Sequence, residues 1–266
     1  MAKAHTQGLE VSGGSYYVTA RREDVRPKRA ILLRLRPAAT NWEVWDITAV
    51  APPGLEPLDH PGGMQSDGKR LWIPVSESKP KSRSLIRVFA LSGMLPGHPP
   101  TSDFEFAVND HIGALAMAAD RGWILGANWD TESVYVWDLE GNLKRTLTRP
   151  ELDIRGLGVS GAGEKNRGVA IQDWKVLGNR LFCSGLCKTS GVVTSPRSRF
   201  ISFANFLETD FRPSRIALPW QSGTELAREA MAIVDGLVLF LPEDLGASNR
   251  IFRLSLPQLL KSSLPE

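Results

Sequence analysis

Short apolar runs separated by polar turns recur along the whole chain, and only Pro257-Gln-Leu-Leu-Lys261 carries a helical period for more than a turn or two. One segment organises the runs: His60 to Trp72, His-Pro-Gly-Gly-Met-Gln-Ser-Asp-Gly-Lys-Arg-Leu-Trp, which returns four more times with drift. Aligned without gaps, the copies begin at His5, His60, His111, Ala170 and Arg228, at spacings of 55, 51, 59 and 58 residues. The last position is aromatic in every copy (Tyr17, Trp72, Trp123, Phe182, Phe240), and the ninth is Gly13, Gly68, Ala119, Gly178 or Gly236. Self-similarity at such a period marks a repeat architecture.

Each copy reads as a hairpin. A short apolar run (Leu9-Glu-Val, Ala116-Met-Ala, Met231-Ala-Ile-Val) leads into a turn whose Gly, Asp-Gly or Gly-Asn tolerates positive φ. A second strand then starts on the aromatic residue, which suits the half-buried face between packed sheets. Third strands are expected at 30–35, 85–89, 134–139, 200–203 and 251–254, and more polar fourth strands at 42–47, 104–108, 143–147 and, more weakly, 214–218. Antiparallel four-stranded units repeated in this way predict an all-β fold, a five-bladed β-propeller forming a single domain over 1–266. The blades fall at about 5–48, 60–108, 111–148, 170–218 and 228–256, the last without an evident outer strand. No strand is left for exchange between the first and last blades, so ring closure is expected to rest on face-to-face packing.

Composition narrows the class. A hydrophobic content of 42% and charged content of 23% are those of a soluble globular protein. The net charge of +3 and the absence of an uninterrupted basic run argue against nucleic acid or a membrane surface as partner. No apolar run approaches the ~20 residues of a membrane span. The first residues carry no signal-peptide core, which suggests a cytoplasmic protein, or a secreted one if the true start lies upstream, and a monomer is expected. Two cysteines, Cys183 and Cys187, are too few for a disulfide framework and read as reduced thiols.

In propellers the mouth of the central channel, where inner strands begin, usually holds the site. The first window position is His5, His60, His111, Ala170 and Arg228, so three of the chain's four histidines share one equivalent place. Neighbouring positions add Gln7, Asp110, Gln172, Asp173 and Glu229. The ends of the second strands add Arg21, Glu77, Asn128, Trp129, Asp130, Glu243 and Asp244. The ligand-binding set expected at the mouth is His5, His60, His111, Gln172, Asp173, Arg228, Glu229, Glu77 and Trp129. His5, His60, His111 and Glu229 also have the donor chemistry of a divalent metal site, so one metal ion is a candidate cofactor. The plainer role of a mouth histidine is to hydrogen-bond the next blade or ordered water.

Other motifs lack their context. Gly156-Leu-Gly158-Val-Ser-Gly161 matches a dinucleotide fingerprint in letters but follows no strand and opens no helix. Ser76-Glu-Ser-Lys79 matches the S-x-x-K pattern, yet it runs from a strand end into Pro80. Trp137-Asp138 is a WD dipeptide in repeats that are too long and lack Gly-His. Trp72 and Trp123 read as blade packing, while Trp129 and Trp174 are candidates for a pocket wall.

These residues carry a resemblance. His5-Thr-Gln-Gly-Leu, His60-Pro-Gly-Gly-Met, Leu71-Trp-Ile-Pro-Val-Ser-Glu77, Asp110-His-Ile-Gly-Ala, Gln172-Asp173, Cys183-Ser-Gly-Leu186 and Leu241-Pro-Glu-Asp244 resemble an uncharacterised family of bacterial and fungal proteins expected to form a propeller. The likeness covers nearly the whole chain and implies that the His, Gln-Asp and Glu positions are the family's distinctive polar set. Thr6-Gln-Gly-Leu-Glu10 with Gly13-Gly14 is similar to the opening of the plant-type glutaminyl cyclotransferases, also five-bladed propellers, over one strand and a turn. The later blades do not follow that pattern.

Three functions are compatible with this reading. The first is binding of a small polar ligand or metal ion at the channel mouth. The second is an enzyme of hydrolase or cyclotransferase type, with a channel His or Glu229 as base and Asp173 orienting it. The third is a scaffold for protein partners.

Overall fold

The computed structural model describes residues 4–50, 55–154, 170–178, 180–186, 188–189, 192–193, 214–216, 226–242, 249–261 and 263–265. The first window forms the hairpin β1 (Ala4–Ser12) and β2 (Ser15–Arg22), and β3 (Arg29–Leu35) and β4 (Glu43–Asp46) extend it outward in chain order. In the second unit, short β5 (His60–Pro61) and β6 (Gln65–Ser66) both pair with β7 (Arg70–Ser76), followed by β8 (Ser84–Ala90) and β9 (Phe104–Val108). The third is β10 (Ile112–Ala118), β11 (Trp123–Asn128), β12 (Ser133–Trp137) and β13 (Leu143–Thr148), closed by helix α1 (Arg149–Ile154). Next come the pair β14 (Ala170–Leu177) and β15 (Arg180–Leu186), the short pair β16 (Lys188–Thr189) and β17 (Val192–Val193), and β18 (Ser214–Ile216). The last sheet is β19 (Ala230–Val234), β20 (Leu237–Leu241) and β21 (Phe252–Ser255), followed by helix α2 (Leu256–Lys261) and β22 (Ser263–Pro265), which pairs with β18.

Strand pairings within the sheets are antiparallel, and the inner strands β1, β6, β10, β14 and β19 touch one another, so the sheets radiate from a shared axis as a β-propeller. The expectation of five four-stranded blades is not met among the described residues. The β14–β15 sheet has two strands and the last sheet three, while the strand expected at 200–203, the loop at 156–161, Cys187, Glu243 and Asp244 lie outside the described residues.

The repeated window explains both the hairpins and the packing. Its glycine sits at positive φ in Gly13 (56°), Gly68 (87°), Gly178 (56°) and Gly236 (72°). Where Ala119 replaces it, the chain makes a 3-10 turn over Ala119–Arg121 and the left-handed residue becomes Gly122 (φ 70°). The aromatic position fills the space between sheets: Trp72 is fully buried against Ile86, Val88, Ile112, Leu115 and Trp137. The first and last sheets meet through Leu9, Val18, Ala230, Ala232, Leu239 and Leu241, so side-chain packing joins them.

Two departures from regular pairing shape the channel. β1, β10 and β14 each shift register at one residue, Gln7, Gly113 and Gln172, the same window position in all three. A bulge turns the neighbouring side chains to new directions. In the second unit the inner strand divides opposite Pro74, which has no N–H to offer it. Gly62 N donates to Pro74 O (2.9 Å), and Gly63 turns to the third sheet through Gly63 N to Gly113 O (2.9 Å) and Leu115 N to Gly63 O (2.9 Å).

Asp173 lies at the axis with no exposed surface. Its Oδ2 accepts from Leu9 N (3.1 Å) and Met231 N (3.1 Å), and its Oδ1 from Trp174 N (2.9 Å) and Lys175 Nζ (2.6 Å). Lys175 Nζ also donates to Met64 O (2.5 Å). One ion pair therefore ties β14 to the first, second and last units. Room for it comes from Gly63, at the equivalent window position, where a Cβ would stand 2.6 Å from Asp173 Oδ1. Beyond it, Gln65 Oε1 accepts from Met117 N (2.9 Å) and Val176 N (3.0 Å), and buried Glu10 accepts from Val11 N (2.8 Å) and Ser66 N (3.2 Å). Burial pushes the Asp173 carboxyl up to about 6 and the Glu10 carboxyl up to about 7, in both cases against the pull of Lys175.

Trp72→Ala is expected to destabilise the protein by about 3–5 kcal/mol in urea unfolding, the cost of emptying a buried aromatic site; a loss well below ~1 kcal/mol would remove Trp72 from the core. Glu10 holds its proton more tightly when folded than when unfolded, so its contribution is greatest in acid and is lost as pH rises from 4.5 to about 7. Glu10→Gln should flatten the fall in unfolding free energy between about pH 5 and about pH 8 by on the order of 2 kcal/mol. An unchanged slope would contradict this.

Candidate functional site

The starts of the first three inner strands bring three imidazoles together. The His60 ring stands 5.2 Å from His111 and 6.3 Å from His5, centroid to centroid. Trp129, the first residue after β11, closes the group: its indole meets His111 edge-on at 4.6 Å and His60 at 6.3 Å. The backbone links them too, since Trp129 N donates to His111 O (3.1 Å). His111 is buried, while His5, His60 and Trp129 are half-buried.

The bulge at Gln7 aims its amide between two of the rings. Gln7 Nε2 contacts His5 Nε2 (2.9 Å) and Thr6 O (3.1 Å), and Gln7 Oε1 contacts His60 Nε2 (3.1 Å). Because Thr6 O can only accept, the amide nitrogen must lie on that side. Gln7 Oε1 therefore accepts from His60 Nε2–H, and His60 Nδ1 carries the lone pair. Arg21 Nη1 lies 3.5 Å from His60 Nδ1 and donates to Ser78 Oγ, and Ser78 Oγ is 3.3 Å from His60 Nδ1. A guanidinium only donates, which fixes the same tautomer from the other side. Glu23 holds the remaining face of Arg21 through Nε (2.6 Å) and also pairs with Lys28 (2.5 Å). Burial, then the neighbouring His111, Arg21, His5 and Lys28, push His60 well below its ordinary 6.5. Burial also lowers His111, although its Nδ1 donates to Glu77 O (2.7 Å).

The predicted set divides. His5, His60, His111 and Trp129 converge at the mouth. Asp173 does not: it is fully buried at the axis, because its carboxylate is the acceptor for three strands' amides and Lys175. Gln172 is the bulged residue beside it and is half-buried. Glu77 sends only its carbonyl to the mouth; its carboxylate turns to Lys79 (3.1 Å) and to Arg83. Glu229 is buried, with Arg228 Nε 3.7 Å from its carboxylate. Asp110 is buried and structural, accepting from His111 N (2.8 Å), Asn128 Nδ2 (2.8 Å) and the Tyr135 hydroxyl (2.9 Å). Trp174 is core.

The metal expectation gains no support from the geometry. Among the described residues no group of three or more His, Cys, Asp or Glu is spaced to hold an ion. Two local features act against an ion at His60: its Nδ1 lone pair faces a guanidinium, and its Nε2–H is committed to Gln7. Arg21 and Gln7 were visible in the sequence as window neighbours but had no feature to rank them. Ser78 had no signal of its own: the sequence shows it only as an inner letter of Ser76-Glu-Ser-Lys79, a match that lacks its structural context. Ser76 of the S-x-x-K match is fully buried and bonded to Ser84 Oγ (2.6 Å) and Ile112 O (3.0 Å), which makes that match structural. Cys183 is a free, buried thiol, which burial pushes upward.

No curated protein matches the chain. Among solved structures, a glycosyl hydrolase from Bacteroides ovatus superposes with TM-score 0.50 at 8% identity, covering 100% of this chain and 86% of that one; at that identity the likeness is one of fold. The β-propeller domain of the trilobed protease from Pyrococcus furiosus aligns over 94% of this chain and 95% of its own at 10% identity, with TM-score 0.44. No helix among the described residues is long and apolar enough to cross a membrane. Residues 46–219, which include His60, His111, Trp129 and the Asp173–Lys175 pair, match DUF6454, and the chain belongs to that family of unknown function.

Proposed function

We propose that the protein binds a small polar molecule at the channel mouth, in a cup formed by His5, Gln7, Arg21, His60, Ser78, His111 and Trp129. The observation that carries this reading is the convergence of three imidazoles from three separate units, two of them against one indole, with a guanidinium N–H beside His60 Nδ1. A group that registers the sheets, such as Asp173, is fully buried and takes backbone amides from three strands. Here the partners are side chains at a partly open surface, offering both donors and acceptors beside an aromatic wall. The ring that holds them is read as five inner hairpins, those starting at His5, His60, His111, Ala170 and Arg228.

A panel of small polar metabolites screened by thermal shift is expected to give a saturable hit. Its affinity should fall at least about tenfold in Arg21→Gln and in Trp129→Ala, equivalent to the loss of one charged hydrogen bond or one aromatic contact. Hits that bind both variants as tightly as the parent would place the ligand elsewhere.

A further inference from the structure

We infer that Ser78 is a nucleophile and His60 its general base, so that the channel mouth hydrolyses small carboxylic esters. The inference rests on the cup reading, since the ester must enter the same mouth. It starts from the tautomer. Two independent contacts, Gln7 Oε1 at 3.1 Å from Nε2 and Arg21 Nη1 at 3.5 Å from Nδ1, leave the His60 lone pair on Nδ1. That lone pair lies 3.3 Å from Ser78 Oγ, within the looser range of a nucleophile–base contact in the absence of substrate. The sequence Ser78–His60–Gln7 thus has the logic of nucleophile, base and orienter, with a neutral amide in the third place. Gln7 is a positioning residue: its amide is pinned in turn by Thr6 O and His5.

The surroundings suit the chemistry. Ser78 is exposed, so an ester carbonyl can reach it, whereas buried Ser76 and Ser84 are occupied with each other. Arg21 donates to Ser78 Oγ and stands where negative charge would develop on a carbonyl oxygen attacked there. Trp129 and His111, packed edge to face, form a wall beside the base for the acyl or alcohol group. Burial and the neighbouring cations keep His60 neutral, the form that accepts a proton.

The step balances with water as the sole co-reactant. The Ser78 Oγ–C bond forms as the hydroxyl proton passes to His60 Nδ1. The C–O bond to the alcohol breaks, and that proton goes to the departing oxygen. Water then attacks the acyl-serine, gives its proton to His60, and Ser78 leaves with it as the carboxylic acid is released.

The full-length chain treated with a fluorophosphonate probe and digested for mass spectrometry should carry one adduct, on Ser78. Ser78→Ala should abolish the adduct and the hydrolysis of p-nitrophenyl acetate without changing the melting temperature. His60→Gln should slow labelling by about 10²-fold or more. The labelling rate should stay level down to 6.5, the ordinary histidine value, and decline only below it, because His60 titrates lower. An adduct on another residue, or an undiminished rate in His60→Gln, would overturn the inference. No adduct, with Arg21-dependent ligand binding still present in the thermal-shift screen, would overturn the hydrolase and leave the cup; loss of both would remove the two readings together.

Discussion

The centre of this molecule is arranged around a carboxylate with no surface open to solvent. Asp173 meets an ammonium from its own strand and amides from the first and last units, and Lys175 carries the connection to the second at Met64. Removing either partner would leave a charge in the interior, a loss of about 3–5 kcal/mol in comparable buried pairs. The pair is a specifying device as much as a stabilising one. An apolar pair of equal volume could fill the space, but it could not require that Leu9, Met64 and Met231 arrive in one register.

The mouth follows from that register. Three of the inner strands, β1, β10 and β14, carry one extra residue as a bulge, at Gln7, Gly113 and Gln172. Two of the three bulged residues are glutamines with different fates. Gln7 is turned towards the histidines, while Gln172 sits beside Asp173 in a unit whose first position is Ala170 rather than His. Chemistry concentrates on the side of the ring where three histidine-bearing units stand in succession.

The fold was legible because its determinants repeat. An aromatic residue and a left-handed glycine at fixed window positions mark each hairpin, and even the exception at Ala119 declares itself through Gly122. The histidine cluster was legible for the same reason. What stayed hidden lacks repetition. Asp173 looked like a mouth ligand because nothing in the letters says that its counterpart Gly63 lies against it and leaves it room. Pro74 splits an inner strand that the pattern shows as continuous. Ser78 reaches His60 across a loop whose path is set by pairings such as Glu77 N to Arg83 O, far from any window position.

The axial ion pair has one more consequence. Backbone and side chain meet across the axis so closely that Gly63 has no space even for a methyl group, and the residues that meet there are buried. Among the described residues the axis beside Asp173 is thus filled by backbone and side chain. A molecule held in the proposed cup would rest on that packed floor, and would enter and leave on the histidine side.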